Sequence, residues 1–348
     1  MDRRKFLTTT ASVGVAIGSM TMPGTVAATA KAAKPKIAFH TIIGTPALQL
    51  RHKAKPKGQP VLYVHGATFP SALSVGYHFA DGLAWEDALL SAGFDVWALD
   101  FEGFGGSADP QAYAKPASER PIPLRSLDAA QQIARAAQHI LKKTGHKKLS
   151  IIAHSWGGVP AARYATDHGN LIEKLILFAP VVRRQPAPSP AGLGNNLPDP
   201  TKLPAWRNLT VAEQLARFVN DTPKGEASVL AEPTLEQWGR TWLATDPESG
   251  ARTPPAVRVP GGPQADIIAM WTGADLYDPA LLKGDILFVR GAWDSVSSEA
   301  DAKTFKARAV SANVTLSTIP RSGHLAHLET NRAQLWAEVN GFLKASKT

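Results

Sequence analysis

Three side chains whose types suit nucleophilic chemistry are Ser155, Asp294 and His324, and each follows a predicted strand. A serine hydroxyl is a poor nucleophile at neutral pH and needs a base within hydrogen-bonding reach to take its proton. Histidine can accept and return that proton because its unperturbed pKa is about 6.5. An aspartate on the other ring nitrogen would fix the tautomer and stabilise the imidazolium. The three types therefore indicate a proton relay that activates Ser155 for attack on an acyl carbon.

The segment from residue 149 to residue 158 predicts a buried strand, a tight turn and the start of a helix. Ile151 and Ile152 are β-branched and suit a strand that is covered on both faces. Ala153 and Gly157 lie two residues before and after Ser155, where a sharp turn needs small side chains. This is the small-x-Ser-x-small form of the nucleophile elbow, with Ala153 in place of the more usual first glycine. By itself, the pattern fits an ordinary strand-to-helix turn with a capping serine equally well.

Strands and helices are predicted to alternate along most of the chain, which favours a parallel sheet with right-handed crossovers. Predicted strands lie at 36–44, 47–53, 61–64, 94–99, 149–154, 171–178, 285–289 and 314–319, the first two as an edge hairpin. Predicted helices lie at 79–92, 124–143, 155–168, 298–308 and 331–344. In open α/β sheets, ligand and catalytic groups collect at the carboxyl edge of the strands. We therefore expect Ser155, Asp294 and His324 at that edge.

The composition changes after residue 180. About half of the chain's 27 prolines lie between residues 180 and 263, together with Trp206, Trp238 and Trp242. Long proline-rich inserts that keep large apolar residues usually pack on something. We predict a helical cap over the sheet edge, with short helices at 209–220, 225–231 and 234–245. Its tryptophans either line a pocket or attach the cap to the core.

In order along the chain, five short patterns resemble the α/β-hydrolase superfamily, in its capped, esterase- or lipase-like serine hydrolase form. They are His-Gly at 65–66, Asp-x-x-Gly-x-Gly-x-Ser at 100–107, the elbow at Ser155, Gly-x-x-Asp at 291–294 and Gly-His-x-x-x-x-Glu at 323–329. The resemblance implies an α/β fold with a mostly parallel central sheet, flanking helices and a helical cap insertion. The implied domains are core at 31–180, cap at 181–275 and core at 276–348.

The resemblance also assigns roles. The order nucleophile, acid, histidine makes Ser155, Asp294 and His324 the triad. The backbone N–H groups of Ala67 and Trp156 are the expected oxyanion hole, the second at a helix N-terminus where the dipole helps.

Other residues compete for these roles. His327 is an alternative base, although Gly323 lets the loop at His324 approach the serine more closely. Asp285 and Asp301 are weaker candidates for the acid because they are predicted to lie in a strand and a helix. Two further histidines, at positions 65 and 154, are expected to make structural hydrogen bonds. The glycine-containing run at 100–107 is predicted to be a structural turn and not a phosphate cradle.

The composition of the chain limits which cofactors and partners are expected. The 348-residue chain has a formal charge of +9 and no cysteine, which excludes disulfides and thiolate chemistry. The histidines show no metal-ligand spacing, so neither a metal nor another cofactor is predicted. The basic stretch at 31–57 carries no nucleic-acid-binding motif, and a solvated face is favoured there. No segment has the roughly 18 apolar residues that span a membrane, so no stable membrane insertion is expected.

The N-terminus resembles a bacterial twin-arginine export signal. Arg3 and Arg4 precede a weakly apolar run at 11–22, and Ala28-Thr29-Ala30 has the form of a cleavage site. We predict a signal peptide at 1–30, export by the twin-arginine machinery and a periplasmic or secreted location. The alternative is a basic N-terminal segment without a targeting role.

These observations predict a serine hydrolase that cleaves the carboxylic ester of an apolar or aromatic small molecule. Lactonase, amidase, perhydrolase and carbon–carbon bond hydrolase relatives use the same triad and remain open. Relatives resembling haloalkane dehalogenases and epoxide hydrolases are disfavoured, because they attack with a carboxylate. A non-catalytic envelope binding protein on the same fold is the alternative of another class.

Overall fold

The structure, a computed structural model, describes residues 36–109, 116–184, 197–230 and 232–346. The predicted export signal at 1–30 lies outside the described residues. The strands are β1 (Ile37–Ile42), β2 (Leu48–Lys53), β3 (Pro60–Val64), β4 (Asp95–Asp100), β5 (Leu149–His154), β6 (Ile172–Phe178), β7 (Trp206–Thr210), β8 (Ala256–Pro260), β9 (Gly284–Gly291) and β10 (Ala312–Ile319). The helices are α1 (Trp85–Ser91), α2 (Ser126–Thr144), α3 (Gly158–His168), α4 (Val211–Val219), α5 (Glu232–Leu243), α6 (Gly262–Trp271), α7 (Glu299–Arg308) and α8 (Arg332–Lys344).

Eight strands form one sheet in the order β1-β2-β4-β3-β5-β6-β9-β10. From β4 to β10 every neighbouring pair is parallel, and β2 alone runs against the others. The predicted hairpin of β1 and β2 forms one edge of the sheet. Strands β3 and β5 are buried along their whole length, as expected for apolar strands covered on both faces. The predicted fold class, a mostly parallel sheet flanked by helices, is confirmed.

The strand order reverses direction next to β3. Strand β4 lies on one side of β3, and β5, the next strand along the chain, lies on the other. Loops that leave the carboxyl ends of two such strands diverge and open a crevice between them. The loop after β3 and the turn after β5 therefore face the same space, which places Ala67 and Ser155 on its border.

Most predicted helices are present, but α1 is shorter than expected. Residues 79–84 form turns: the Asp81 carboxylate accepts the Leu83 N–H at 3.0 Å, and Gly82 has φ 73°. A left-handed residue interrupts helical geometry, so α1 begins only at Trp85. Helix α2 is amphipathic as predicted and ends at Gly145, which takes the left-handed conformation typical of a helix C-terminus.

The segment between β6 and β9 differs from its prediction in three ways, and the first is that helix α6 (Gly262–Trp271) was not predicted. Strands β7 and β8 pair antiparallel in a separate two-stranded sheet that was not predicted. The described residues 225–230 form turns and bends where a helix was expected. Helices α4 and α5 correspond to the other two predicted helices.

Two tryptophans attach α5 to the core. The indole N–H of Trp238 donates to the Leu73 carbonyl at 3.0 Å, and that of Trp242 donates to the Thr68 carbonyl at 3.1 Å. Both side chains are fully buried. Of the two functions considered for them, attachment to the core is the one these contacts support. No helix among the described residues is both long enough and apolar enough to cross a membrane.

Candidate active site

Ser155 sits at the apex of a sharp turn between β5 and α3. Its φ is +56°, a conformation that costs a residue with a side chain roughly 1–3 kcal/mol. A Cβ at Gly157 would lie 2.3 Å from the His65 carbonyl oxygen, and Ala153 is fully buried. The small residues on either side of Ser155 are therefore required by close backbone approach, as the elbow pattern predicts.

The three residues singled out by type are hydrogen-bonded in series. The Nε2 of His324 lies 2.8 Å from the Ser155 Oγ. The Nδ1 of His324 lies 3.0 Å and 3.1 Å from the two carboxylate oxygens of Asp294. We call the series Ser155–His324–Asp294 the relay. It is the hydrogen-bonding arrangement that a serine nucleophile needs, with a base at the hydroxyl and an anion behind the base.

The loop after β9 fixes the Asp294 carboxylate. Its Oδ1 accepts the backbone N–H groups of Val296 at 2.8 Å and Ser297 at 2.9 Å, and its side chain is fully buried. The rival carboxylates are engaged elsewhere. Asp301 caps α7 and pairs with Arg184, while Asp285 accepts a hydrogen bond from Asn313.

The other histidines near the relay make structural contacts. The Nε2 of His65 accepts the Phe101 N–H at 3.1 Å, and its Nδ1 lies 2.8 Å from the Gly66 carbonyl, to which it donates. The Nε2 of His154 lies 3.2 Å from the His324 carbonyl oxygen and donates to it. The alternative base His327 lies 3.0 Å from the Ser74 hydroxyl.

Burial sets the charge of two of these rings. Burial lowers the pKa of His154 well below its ordinary value and the pKa of His327 to about 3. Both rings are therefore neutral at physiological pH, and the nearby His324 adds to this effect in each case.

Two buried carboxylates hold the loop that presents His324. Glu329 accepts the Gly323 N–H at 2.9 Å, and burial raises the pKa of this carboxyl to about 7. Asp221, which follows α4, accepts the His324 N–H at 3.1 Å and the Ser295 hydroxyl at 2.5 Å. Sequence reasoning missed Asp221, because no local pattern marks a carboxylate that reaches the loop only through tertiary packing.

The predicted oxyanion-hole residues are Trp156 and Ala67, and Trp156 is the chain neighbour of Ser155. Trp156 directly follows it in a single 3₁₀ turn at the start of α3. Its indole N–H donates to the Asp266 carboxylate at 3.1 Å, and Asp266 also pairs with Arg125. Ala67 borders the same cavity as Ser155.

The relay opens into a cavity of about 210 Å³. One wall comes from the core and includes Gly66, Ala67, Thr68, Phe69, His154, Ser155, Val296, His324 and Leu325. The other wall comes from the segment between β6 and β9 and includes Arg207, Gln214, Arg217, Phe218, Val259, Pro260, Gln264, Ile267 and Trp271. Within the described ranges, no group of three or more potential ligands is placed to hold a metal ion.

Comparison with known proteins identifies the class. A model of the alpha/beta hydrolase family matches residues 61–338. The match covers most of the chain, and the chain therefore belongs to the alpha/beta hydrolase family.

Two curated proteins match the chain in amino-acid sequence. A 2-hydroxy-6-oxononadienedioate/2-hydroxy-6-oxononatrienedioate hydrolase of a Pseudomonas species is 33% identical over 92 residues, 26% of this chain and 28% of that protein. This alignment spans little more than a quarter of that relative. A soluble epoxide hydrolase of a Corynebacterium species is 22% identical over 285 residues, 72% of this chain and 87% of that protein.

Among solved structures, 2-hydroxy-6-oxo-6-phenylhexa-2,4-dienoate hydrolase from a Rhodococcus species has a TM-score of 0.58 and is 20% identical. The superposition covers 89% of this chain and 99% of that one. At this identity the likeness shows the shared fold alone.

Proposed function

We propose that the protein is a serine hydrolase that cleaves carboxylic esters through an acyl-enzyme on Ser155. The observation that supports this most strongly is the 2.8 Å approach of His324 Nε2 to Ser155 Oγ, with Nδ1 held by Asp294. In this tautomer, Nε2 has a free lone pair for the serine proton.

The proposed reaction has two acyl transfers. Ser155 Oγ bonds to the ester carbonyl carbon while His324 takes its proton, and His324 then returns that proton to the leaving alkoxide as the C–O bond breaks. In the second half, His324 takes a proton from water, whose oxygen attacks the acyl carbon. The Ser155 oxygen leaves with the proton, and the products are one alcohol and one acid.

We assign the oxyanion hole to the backbone N–H groups of Ala67 and Trp156. Each tetrahedral intermediate places negative charge on the former carbonyl oxygen, which needs donors already in position. Ala67 lines the same cavity as Ser155, and Trp156 follows Ser155 in the 3₁₀ turn that leads into α3. Losing one such donor typically costs about 3–4 kcal/mol of barrier.

The proposal also includes the domain organisation of the chain and its location in the cell. Residues 181–275 act as the cap between core segments 31–180 and 276–348. Apolar residues on the cavity wall, among them Phe69, Phe218 and Ile267, suit an apolar or aromatic substrate body. The twin-arginine-like N-terminus supports export to the periplasm or beyond.

A second candidate is hydrolysis of a carbon–carbon bond beside a ketone. It is favoured by the Pseudomonas relative, whose name describes a 2-hydroxy-6-oxononadienedioate hydrolase. Epoxide hydrolysis is not proposed, although one relative bears that name. Serine attack on an epoxide would form an ether that water cannot readily cleave, whereas the carboxylate of an epoxide hydrolase forms a hydrolysable ester.

The test is turnover of chromogenic esters of graded acyl length, with a 2-hydroxy-6-oxo dienoate assayed in parallel. We expect ester turnover that disappears in Ser155→Ala and persists in Ser91→Ala, an exposed serine on α1. Faster turnover of the dienoate than of any ester would favour the second candidate. Turnover of neither substrate, or turnover unaffected by Ser155→Ala, would contradict the proposal.

A further inference from the structure

The cavity wall opposite the core carries positive charge. Arg207 on β7 and Arg217 on α4 both line it, together with the amides of Gln214 and Gln264. No aspartate or glutamate is among the described residues that line this cavity. A polar cluster of this kind in an otherwise apolar wall is how small-molecule sites fix the orientation of a ligand.

Arg207 has no protein partner within the described parts of the chain. None of its guanidinium nitrogens makes a hydrogen bond or an ion pair there, and its Nε is closed off from solvent. Burial lowers the pKa of Arg207, and the nearby Glu213 opposes that effect. However, the Glu213 carboxylate is hydrogen-bonded to Thr210, and it forms no ion pair with Arg207. A partly desolvated cation without a carboxylate in direct contact is costly, which points to an anion supplied from outside the chain.

Gln214 and Arg217 line the same cavity, and they also have side-chain groups that lack a hydrogen-bond partner among the described residues. Gln214 is 3% exposed, and its side-chain amide makes no hydrogen bond to any residue described. The Nη1 of Arg217 lies 3.4 Å from an Asp221 oxygen, while its Nη2 is buried without a partner. Three neighbouring side chains of the β7–α4 segment thus have donors left over on the cavity side.

We propose that this cluster of Arg207, Gln214 and Arg217 binds a carboxylate on the substrate, so that the enzyme prefers acyl groups with an anionic end. The proposal rests on the proposed function, since Ser155 must attack the other end of the same acyl group. Guanidinium groups match a planar carboxylate through paired hydrogen bonds. Asp221 already neutralises part of Arg217, so the remaining charge, centred on Arg207, is matched by one carboxylate group. The substrate is then amphiphilic, with an apolar body and one carboxylate.

The kinetic test compares two esters of similar length, 4-nitrophenyl hydrogen adipate and 4-nitrophenyl heptanoate. We expect the wild-type protein to favour the anionic ester in kcat/KM by about tenfold or more, with Ser155→Ala giving the uncatalysed background. Arg207→Gln should lower this ratio at least about tenfold, mainly through KM for the adipate. The matched control is Arg240→Gln on α5, whose side chain is 70% exposed, and it should leave the ratio unchanged.

A binding test separates this inference from the proposed function. Free adipate should raise the Tm of the wild-type protein and of Ser155→Ala, but not of Arg207→Gln, whether or not any ester is turned over. Equal stabilisation of Arg207→Gln, stabilisation by inorganic phosphate in place of adipate, or preference for the neutral ester would overturn the carboxylate site. If adipate binds but no ester is cleaved, the proposed function fails while the site stands.

Discussion

At the scale of single residues, the tautomer of His324 decides whether Ser155 can react. Asp294 receives two backbone N–H groups on Oδ1, so its carboxylate cannot rotate away without breaking them. A carboxylate can only accept hydrogen bonds, so Nδ1 of His324 carries the proton and Nε2 remains basic. The direction of the relay therefore follows from the fold of the loop after β9.

Asp294→Asn tests this directly. The asparagine oxygen can keep the two backbone hydrogen bonds, which turns its NH₂ group toward Nδ1 and favours the wrong tautomer. We expect kcat to fall by about 10⁴ with little change in Tm, because the packing is retained. Steady-state kinetics and thermal melts check this. A fall of less than about tenfold would mean that Asp294 does not set the tautomer.

Residue types and short spacings were enough to single out Ser155, Asp294 and His324, because each comes after a predicted strand and belongs to a short pattern that contains a glycine. Arg207, Gln214 and Asp221 could not be found in that way. Their importance comes from where β7 and α4 pack, and no local pattern separates a cavity arginine from a surface one. The prediction of an apolar substrate body does not take the charges of Arg207 and Asp221 into account.

At the scale of elements, the α4 segment is joined to the loop that carries His324. Asp221 accepts the His324 N–H and the Ser295 hydroxyl, and it lies beside Arg217, which lines the cavity. The segment that forms the cavity wall thus also helps to position the histidine. Asp221 is a positioning residue, because it acts through the backbone of His324.

Asp221→Ala should lower kcat more than it changes KM. Loss of a buried acceptor costs about 1–3 kcal/mol, and we expect kcat to fall roughly 5- to 150-fold. Asp221→Asn should restore most of the rate, since its amide can still accept from His324 and contact Ser295. Equal loss in both variants, or a loss confined to Tm, would assign Asp221 a purely structural role.

Some elements are predicted more accurately than others. Some depend on the local sequence, whereas others depend on contacts between residues far apart in the chain. The strands of the large sheet are continuous apolar runs, which a sequence displays directly. Strands β7 and β8 have five residues each and pair across an intervening helix-containing segment. The sequence predicts that a helix starts at Leu209, whereas α4 begins at Val211, after the Thr210 cap.

At the scale of the whole molecule, buried neutral histidines near the site make the stability of the fold depend on pH under acidic conditions. His327 is 1% exposed, with Nε2 at the Ser74 hydroxyl and Nδ1 without a partner. Burial lowers the pKa of His327 to about 3. The unfolded chain binds a proton on this residue below about pH 6.5, while the folded chain does not. Its contribution to stability is therefore present above about pH 6.5 and is lost as the pH falls toward 3.

We expect the free energy of unfolding to fall by about 1.4 kcal/mol per pH unit for His327 between about pH 6 and pH 4. His327→Gln, which keeps a nitrogen near the Ser74 hydroxyl, should remove that part of the slope. Urea denaturation of both proteins at several pH values measures the difference. Parallel slopes would show that His327 does not keep a lowered pKa in the folded protein.

The whole account depends on Ser155 as the nucleophile, and mass spectrometry of the protein after reaction with a fluorophosphonate measures this most directly. We predict one adduct per chain, mapped to the peptide that contains Ser155, abolished in Ser155→Ala and slowed strongly in His324→Ala. A protein that stays unlabelled, as a non-catalytic binder would, or an adduct that persists in Ser155→Ala would contradict the account.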